Sequence, residues 1–164
     1  MKTRWQTRTQ DSTVSDGDLD YDRSLLGVEH HVGAFDVTRE MIVAFAQATG
    51  ETGPAYIDTG SRSDADGPVA PPTFCNVFTA EITRPDIKLD FGDTGFFAGQ
   101  SIECGNAVRP GDTLDVTTTL KDVYAKTGRS GKMAFAVWET RFTNQRGETA
   151  ALVQESFVRR NRSQ

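Results

Sequence analysis

The chain has no long apolar run. Nothing in it approaches the ~20 consecutive hydrophobic residues of a transmembrane helix. The charges at Lys2 and Arg4 are followed by no apolar segment, so neither a membrane span nor a secretory signal is expected. Cysteine is scarce, with only Cys75 and Cys104 among 164 residues. Both lie in apolar patterns, and two buried, reduced thiols in a cytoplasmic protein are expected. Histidine is as rare, at two residues, and without a Cys/His cluster no structural metal site is expected. Basic charge is also short: 18 Lys and Arg against 23 Asp and Glu give a net charge of −5. No basic patch or stripe dominates, which argues against a nucleic-acid or anionic-membrane partner.

What is present is enough for one domain. A chain of this length buries about two-thirds of its unfolded surface. Residues 1–24 are polar, with Asp11, Asp16, Asp18 and Asp20, and read as a tail or an arm laid on a neighbouring subunit. Residues 25–160 carry the folded pattern, and 161–164 form a short C-terminal tail.

The organising stretch is Gly67 to Pro85. Pro71 and Pro72 set an extended entry, and Thr73 is placed to cap a helix. Phe74, Val77, Phe78 and Ile82 recur as one apolar stripe of that short helix, which Arg84-Pro85 closes. Such a stripe needs a large apolar surface to lie on. Upstream, Val28, Val32 and Phe35 around His30 and His31 predict an edge strand. Thr38 then caps a helix whose buried face is Met41, Ile42, Phe45 and Ala46, and Gly50 ends it. Thr59 to Gly67 is a polar loop.

From Phe96 the pattern is β. Ile102, Cys104, Asn106 and Val108 alternate; Arg109-Pro110-Gly111-Asp112 turns the chain; Leu114, Val116, Thr118 and Leu120 alternate again. Gly128-Arg129-Ser130-Gly131 is a hairpin tip, and Asn144-Gln145-Arg146-Gly147 turns into a last strand, Ala150 to Arg160. Met133 to Trp138 is apolar on both faces, and a subunit contact is expected there. Tight hairpins imply an antiparallel sheet, so the fold class is α+β, a central helix held by a curved antiparallel sheet.

The order FAQATGETGPAYID, loop, VAPPTF helix, RPGDTL turn, DVYAKTGRSG hairpin and NQRGE turn resembles the MaoC-like hot-dog-fold hydratases and dehydratases. The likeness is greatest to their N-terminal-type, degenerate dehydratase domains, and it covers roughly residues 25–160. It implies a hot-dog fold and acyl thioesters of coenzyme A or acyl carrier protein as substrates. It also implies reversible hydration of a 2-enoyl chain to the (R)-3-hydroxy form, with no metal or redox cofactor.

That reaction needs a base to activate water, an acid for the α-carbon and a donor to the thioester oxygen. Catalytic relatives carry a pattern like G-D-x-N-P-x-H-x-D. On this chain Glu51 stands at the Asp, Gly53 at the Asn, Pro54 at the Pro and Tyr56 at the His, while Asp58 keeps the last acid. An added methylene moves the Glu51 carboxylate by about 1 Å, and misplacement of that size can cost ~100-fold in rate. A tyrosine phenol, ordinarily of pKa ~10, is a poor substitute for histidine as an acid. Pro71 and Pro72 have no N–H to offer the oxyanion, leaving Thr73 or Phe74.

The expected role is therefore the substrate-binding partner of a catalytic hot-dog subunit in a hetero-oligomer. One alternative is a stand-alone homodimeric hydratase using Glu51 and Tyr56. Another is a hot-dog thioesterase or acyl-CoA-binding module, for which Glu81 is the one carboxylate on the central helix. Pro54, Asp58, Pro72, Thr73, Phe74 and Phe78 are the candidate substrate contacts, with Trp138 a further aromatic that either lines an acyl pocket or packs in the core. Lys126, Arg129 and Lys132 at the hairpin tip are candidates for the phosphates of coenzyme A or the carrier protein.

Overall fold

The computed structural model describes residues 19–57, 67–129 and 131–161. After a short 3₁₀ turn, Arg23–Leu25, come strand β1 (Glu29–Asp36), helix α1 (Arg39–Thr49) and a central 3₁₀ helix (Phe74–Glu81). Strands β2 (Thr94–Cys104), β3 (Thr113–Gly128), β4 (Gly131–Asn144) and β5 (Thr149–Arg160) complete the chain. The five strands form one sheet in the order β1-β3-β4-β5-β2, with every neighbouring pair antiparallel. The α+β architecture expected from the sequence is the one observed.

Local chemistry sets the first elements. The Thr38 hydroxyl accepts from the Met41 N–H at the start of α1, as its position predicts. Gly50 ends α1 in the left-handed region (φ 72°), donating to Gln47 while Glu51 N–H reaches back to the Ala46 carbonyl. This pair of bonds is a Schellman motif, and it fixes where the chain leaves the helix.

Strand parity decides the core. Leu114, Val116, Thr118 and Leu120 of β3 are buried on one face; a bulge between Leu120 and Asp122 then restores Val123 and Ala125 to that face. Facing them on β4 are Ala134, Ala136, Trp138, Thr140 and Phe142. The inner face carries two apolar clusters. The first joins Ile42 of α1 with Phe74, Cys75 and Phe78 over Leu114, Val116, Phe142 and Val153. Phe74 meets Phe45 and Phe78 edge-on, and Phe78 stacks on Phe35. The second is covered by extended chain: Leu19, Tyr21, Ile87 and Leu89 lie over Leu120, Val123 and Trp138. Backbone bonds from Asp22 to Ile87 and from Asp90 to Asp20 hold the two covering segments together.

Several expectations are corrected. The central segment is 3₁₀ rather than α, and Thr73 makes no side-chain cap. It also ends at Glu81, before the Arg84-Pro85 stop, because Ile82 is already extended. Packing begins before residue 25: Leu19 and Tyr21 are buried in the second cluster, so the tail assigned to 1–24 is too long at its C-terminal end. Residues 1–18 and most of the Thr59–Gly67 loop lie outside the described residues. Strand β2 stops at Cys104, so Asn106 and Val108 do not continue its alternation.

On the outward side of the doubly apolar stretch of β4, Val137 is buried and Met133 and Phe135 are half-buried, with Phe135 stacked on Tyr124 at 5.0 Å between centroids. A pair of adjacent exposed aromatics lies on β2, an edge strand of 11 residues. Phe96 and Phe97 there are 44% and 53% exposed.

Where the chain leaves β2, a Cβ at Gly105 would collide with the Thr149 carbonyl oxygen, whereas one at Gly99 meets open space. Gly105→Ala is expected to lower stability by about 1–3 kcal/mol in denaturant unfolding, because backbone cannot give way as a side chain can. Gly99→Ala should stay within about 0.5 kcal/mol of the unmodified protein.

Candidate functional site

The Schellman exit from α1 carries Glu51 directly onto a tight turn in which the Tyr56 N–H donates to Gly53. The turn lays the tyrosine ring over Gly53, where an added Cβ would press on the ring edge at 3.1 Å. Val69 N–H then bonds the Ala55 carbonyl, and Ala70 N–H that of Val108, which ties the turn to the entry of the central helix.

Two cavities meet at Tyr56. One, of about 130 Å³, is lined by Val43, Ala46 and Gln47 of α1 with Glu51, Tyr56 and Ile57. The other, of about 190 Å³, lies between Tyr56, Pro71, Pro72 and Phe74 on one side and Cys104 and Asn106 beyond β2 on the other. The structure thus brings Glu51 and Tyr56 to one wall, and joins Tyr56 to Pro72 and Phe74 across the next. No imidazole lines either cavity. His30 sits on β1, half-buried, with its Nε2 buried and unpartnered, and His31 Nε2 lies 2.7 Å from Asp115 Oδ1 on the exposed side.

The other candidates divide. Phe78 is 3% exposed in the aromatic core and lines neither cavity. Pro54 and Thr73 are exposed, and Asp58 lies outside the described residues. Of the two possible oxyanion donors, Phe74 N–H is engaged by the Pro71 carbonyl at 2.9 Å, while Thr73 N–H makes no hydrogen bond among the described residues. Glu81 is exposed and lines neither cavity. Trp138 belongs to the second cluster.

At the hairpin tip the cross-strand register pairs Lys126 with Met133 and Thr127 with Lys132, which puts the two lysines on opposite faces. Lys126 covers the Tyr124 and Phe135 rings, Lys132 covers Phe91, and Arg129 is in the turn. Among the described residues no group of three or more His, Cys, Asp and Glu is placed to hold a metal ion, and no helix is long and apolar enough to cross a membrane.

Both cysteines line the larger cavity, which sequence reasoning missed. Its signal, an alternating Ile102-Cys104-Asn106-Val108, read as ordinary strand. The expectation of two buried thiols is corrected for Cys104, which is exposed at the end of an edge strand and whose Sγ lies 3.2 Å from the Pro72 carbonyl oxygen. Cys75 is buried, and burial, with a smaller contribution from Cys104, pushes its thiol from 9.0 up to about 12.

A family model described as "FAS1-like, dehydratase domain region" matches residues 24–153. A UPF0336 protein of Streptomyces coelicolor is 33% identical over 115 residues, covering 65% of this chain and 76% of its own. Among solved structures, the C-terminally truncated HadBC (3R-hydroxyacyl-ACP dehydratase) complex of Mycobacterium tuberculosis is similar at TM-score 0.62 and 22% identity. That match covers 84% of this chain and 98% of that one. The MaoC-like dehydratase of Rhodospirillum rubrum is similar at TM-score 0.60 and 23% identity over 85% and 94% of the two chains. Both share the wrapped sheet described above, the hot-dog fold.

A disulfide reagent should titrate one thiol quickly, absent in Cys104→Ser, and reach Cys75 only on unfolding. The folded protein keeps the Cys75 proton where the unfolded chain loses it. Its contribution to stability is therefore complete below pH 9.0 and is lost as the pH rises toward about 12. Over that range the wild type should lose more stability than Cys75→Ala in denaturant midpoints.

Proposed function

Because the chain belongs to the FAS1-like dehydratase-region family through residues 24–153, we propose that it is the substrate-binding subunit of an (R)-specific enoyl-thioester hydratase or 3-hydroxyacyl-thioester dehydratase. Hydration places the water oxygen on the β-carbon and a proton on the α-carbon, and dehydration reverses both transfers. Each direction needs one group that takes a proton and another that gives one, both within hydrogen-bond reach of the substrate.

The observation that carries this reading is the cavity wall made by Glu51 and Tyr56, which offers a carboxylate and a phenol and no imidazole. The carboxylate can accept a proton from water; the phenol is a weak donor at neutral pH. Substrate binding asks less of the site. The larger cavity has apolar walls in Pro71, Pro72 and Phe74, and the N–H of the intervening Thr73 makes no hydrogen bond among the described residues. A thioester with its acyl chain against these walls would be oriented here and turned over by groups supplied from a partner.

The partner in this reading is a second hot-dog subunit carrying Asp and His. The unpaired edge of β2 presents a row of backbone donors and acceptors with Phe96 and Phe97 exposed, a surface that another strand would complete. The HadBC complex, similar in fold, is itself heteromeric. Lys126 and Arg129 remain candidates for contact with the phosphates of coenzyme A or an acidic carrier protein.

Hydration of crotonyl- and longer enoyl-thioesters, followed by loss of the enoyl absorbance, should appear when this chain is co-expressed with a subunit carrying Asp and His. The same assay on the purified single chain should show none, and full activity there overturns the division of labour. The shared wall of Glu51 and Tyr56 favours one competing reading, a stand-alone hydratase. In that case Glu51→Gln would abolish the activity of the lone protein, by ~100-fold or more. In the heteromer Glu51→Gln should leave kcat nearly unchanged.

A further inference from the structure

The second apolar cluster is incompletely covered. A cavity of about 290 Å³ opens over it, and it shares no lining residue with the two cavities at Tyr56. Its floor is Ala136, Trp138 and Phe157 from the inner faces of β4 and β5, with Ile87 and Leu89 as an apolar wall. Arg84 and Arg159 supply its cationic groups.

The two guanidiniums are differently engaged. Arg84 Nη2 pairs with Glu155 Oε2, and its plane lies over the Phe157 ring at 5.0 Å. Its Nε is buried without a partner, so one carboxylate occupies only part of a five-donor group. Arg159 donates to the Leu89 and Gly92 carbonyls, which are neutral and leave its charge uncompensated. The one acid in the lining, Asp86, has its Oδ1 turned to the Lys88 backbone N–H. Glu155 therefore answers Arg84 and the backbone engages Asp86, while Arg159 has no carboxylate partner among the described residues.

We propose that this cavity binds an acyl group, with the head oxygens of the ligand at Arg84 and Arg159 and its chain along Ala136, Trp138 and Phe157. The volume is close to the lower end of the ~300–1,000 Å³ found for small-ligand pockets, which suits a medium chain and excludes a whole nucleotide cofactor. The planar guanidinium favours a carboxylate over a single hydroxyl, because two parallel bonds form instead of one. This inference is independent of the hydration reading. It uses other residues, and its readout is binding.

Trp138 reports on the cavity directly, since Trp5 is the only other tryptophan and Trp5→Phe removes its signal. The full-length Trp5→Phe protein is titrated with octanoate, octanol and octanoyl-CoA while Trp138 fluorescence is followed. Octanoate should give a saturable change, with octanol binding about tenfold more weakly. Ala136→Leu fills the floor and should abolish the octanoate signal without altering the Tm of the protein by more than a few degrees. Arg84→Met alone would strand the buried Glu155 and risk unfolding. The double variant Arg84→Met/Glu155→Met avoids this, and should weaken octanoate binding several-fold while leaving it tighter than octanol, because Arg159 remains.

An Ala136→Leu-sensitive signal from octanoate but not octanoyl-CoA identifies a free fatty carboxylate as the ligand. One from both identifies the shared acyl chain. No saturable change with either, a signal that survives Ala136→Leu, or octanol binding as tightly as octanoate overturns the proposal. Failure of the hydration assay would leave these titrations untouched, and their failure would leave that assay untouched.

Discussion

The sheet is much longer than the helix that covers it. Eight residues of 3₁₀ helix rise about 2 Å each and reach roughly 16 Å. Sixteen residues of β3, at about 3.3 Å each, reach roughly 50 Å. One element cannot cover the inner face, and the molecule divides the task. The 3₁₀ helix and α1 cover one end, and the extended segments around Leu19–Tyr21 and Ile87–Leu89 cover the other. The inner face also carries buried polar groups that satisfy one another, the Thr118–Thr140 pair and the Arg84–Glu155 pair. The cavity over Trp138 is a consequence of this mismatch, because extended chain covers a sheet less tightly than a helix does. The cavities at Tyr56 have a different origin, in the irregular turn that joins α1 to the central helix.

Much of this was legible in the residues because it is local. The Thr38 cap, the Gly50 exit and the β3–β4 hairpin each depend on a few neighbouring side chains with strong preferences. What escaped was set by tertiary context. Phe74 and Val77, three residues apart, share a face in a 3₁₀ helix as well as in an α-helix, so that pair alone does not separate the two, and packing on the sheet decides. Leu19 and Tyr21 are isolated apolar residues among acids, and they are buried because their neighbours Asp20 and Asp22 pair with Asp90 and Ile87 much further along the chain. Cys104 reads as a core residue by alternation, yet it is exposed at the end of an edge strand whose outer side pairs with no strand among the described residues. Lys126 and Lys132 are close in sequence, and strand parity separates them. Arg84 and Glu155 are 71 residues apart, and neither sits in a pattern that marks it.

The candidate site shows the same division. The resemblance to the hydratase motif singled out Glu51 and Tyr56, and the structure places both against one cavity. It did not reveal the second wall, contributed by Cys104 and Asn106. Those residues reach the site because the chain leaves β2 after Cys104, at Gly105, where the backbone passes so close to Thr149 that only glycine fits. A wall assembled by the end of a strand leaves no periodic trace.

The geometry at Glu51 also explains how such a module can lose chemistry and keep its shape. The position of residue 51 is set by main-chain bonds, Gly50 to Gln47 and Glu51 to Ala46, and by the left-handed conformation of Gly50. None of these depends on the side chain at 51. Tyr56 is likewise held by its backbone bond to Gly53, and its ring rests on a residue that has no Cβ. A site built this way tolerates exchange of its reactive side chains at little cost in stability. Its walls, Pro71, Pro72 and Phe74, are fixed by the packing of the central helix on the sheet, because Phe74 is 1% exposed and in contact with Phe45 and Phe78. The cavity walls and the side chains at 51 and 56 therefore rest on separate supports here. Exchange of the latter would leave the walls in place, which is what the proposed role as the binding half of a pair requires.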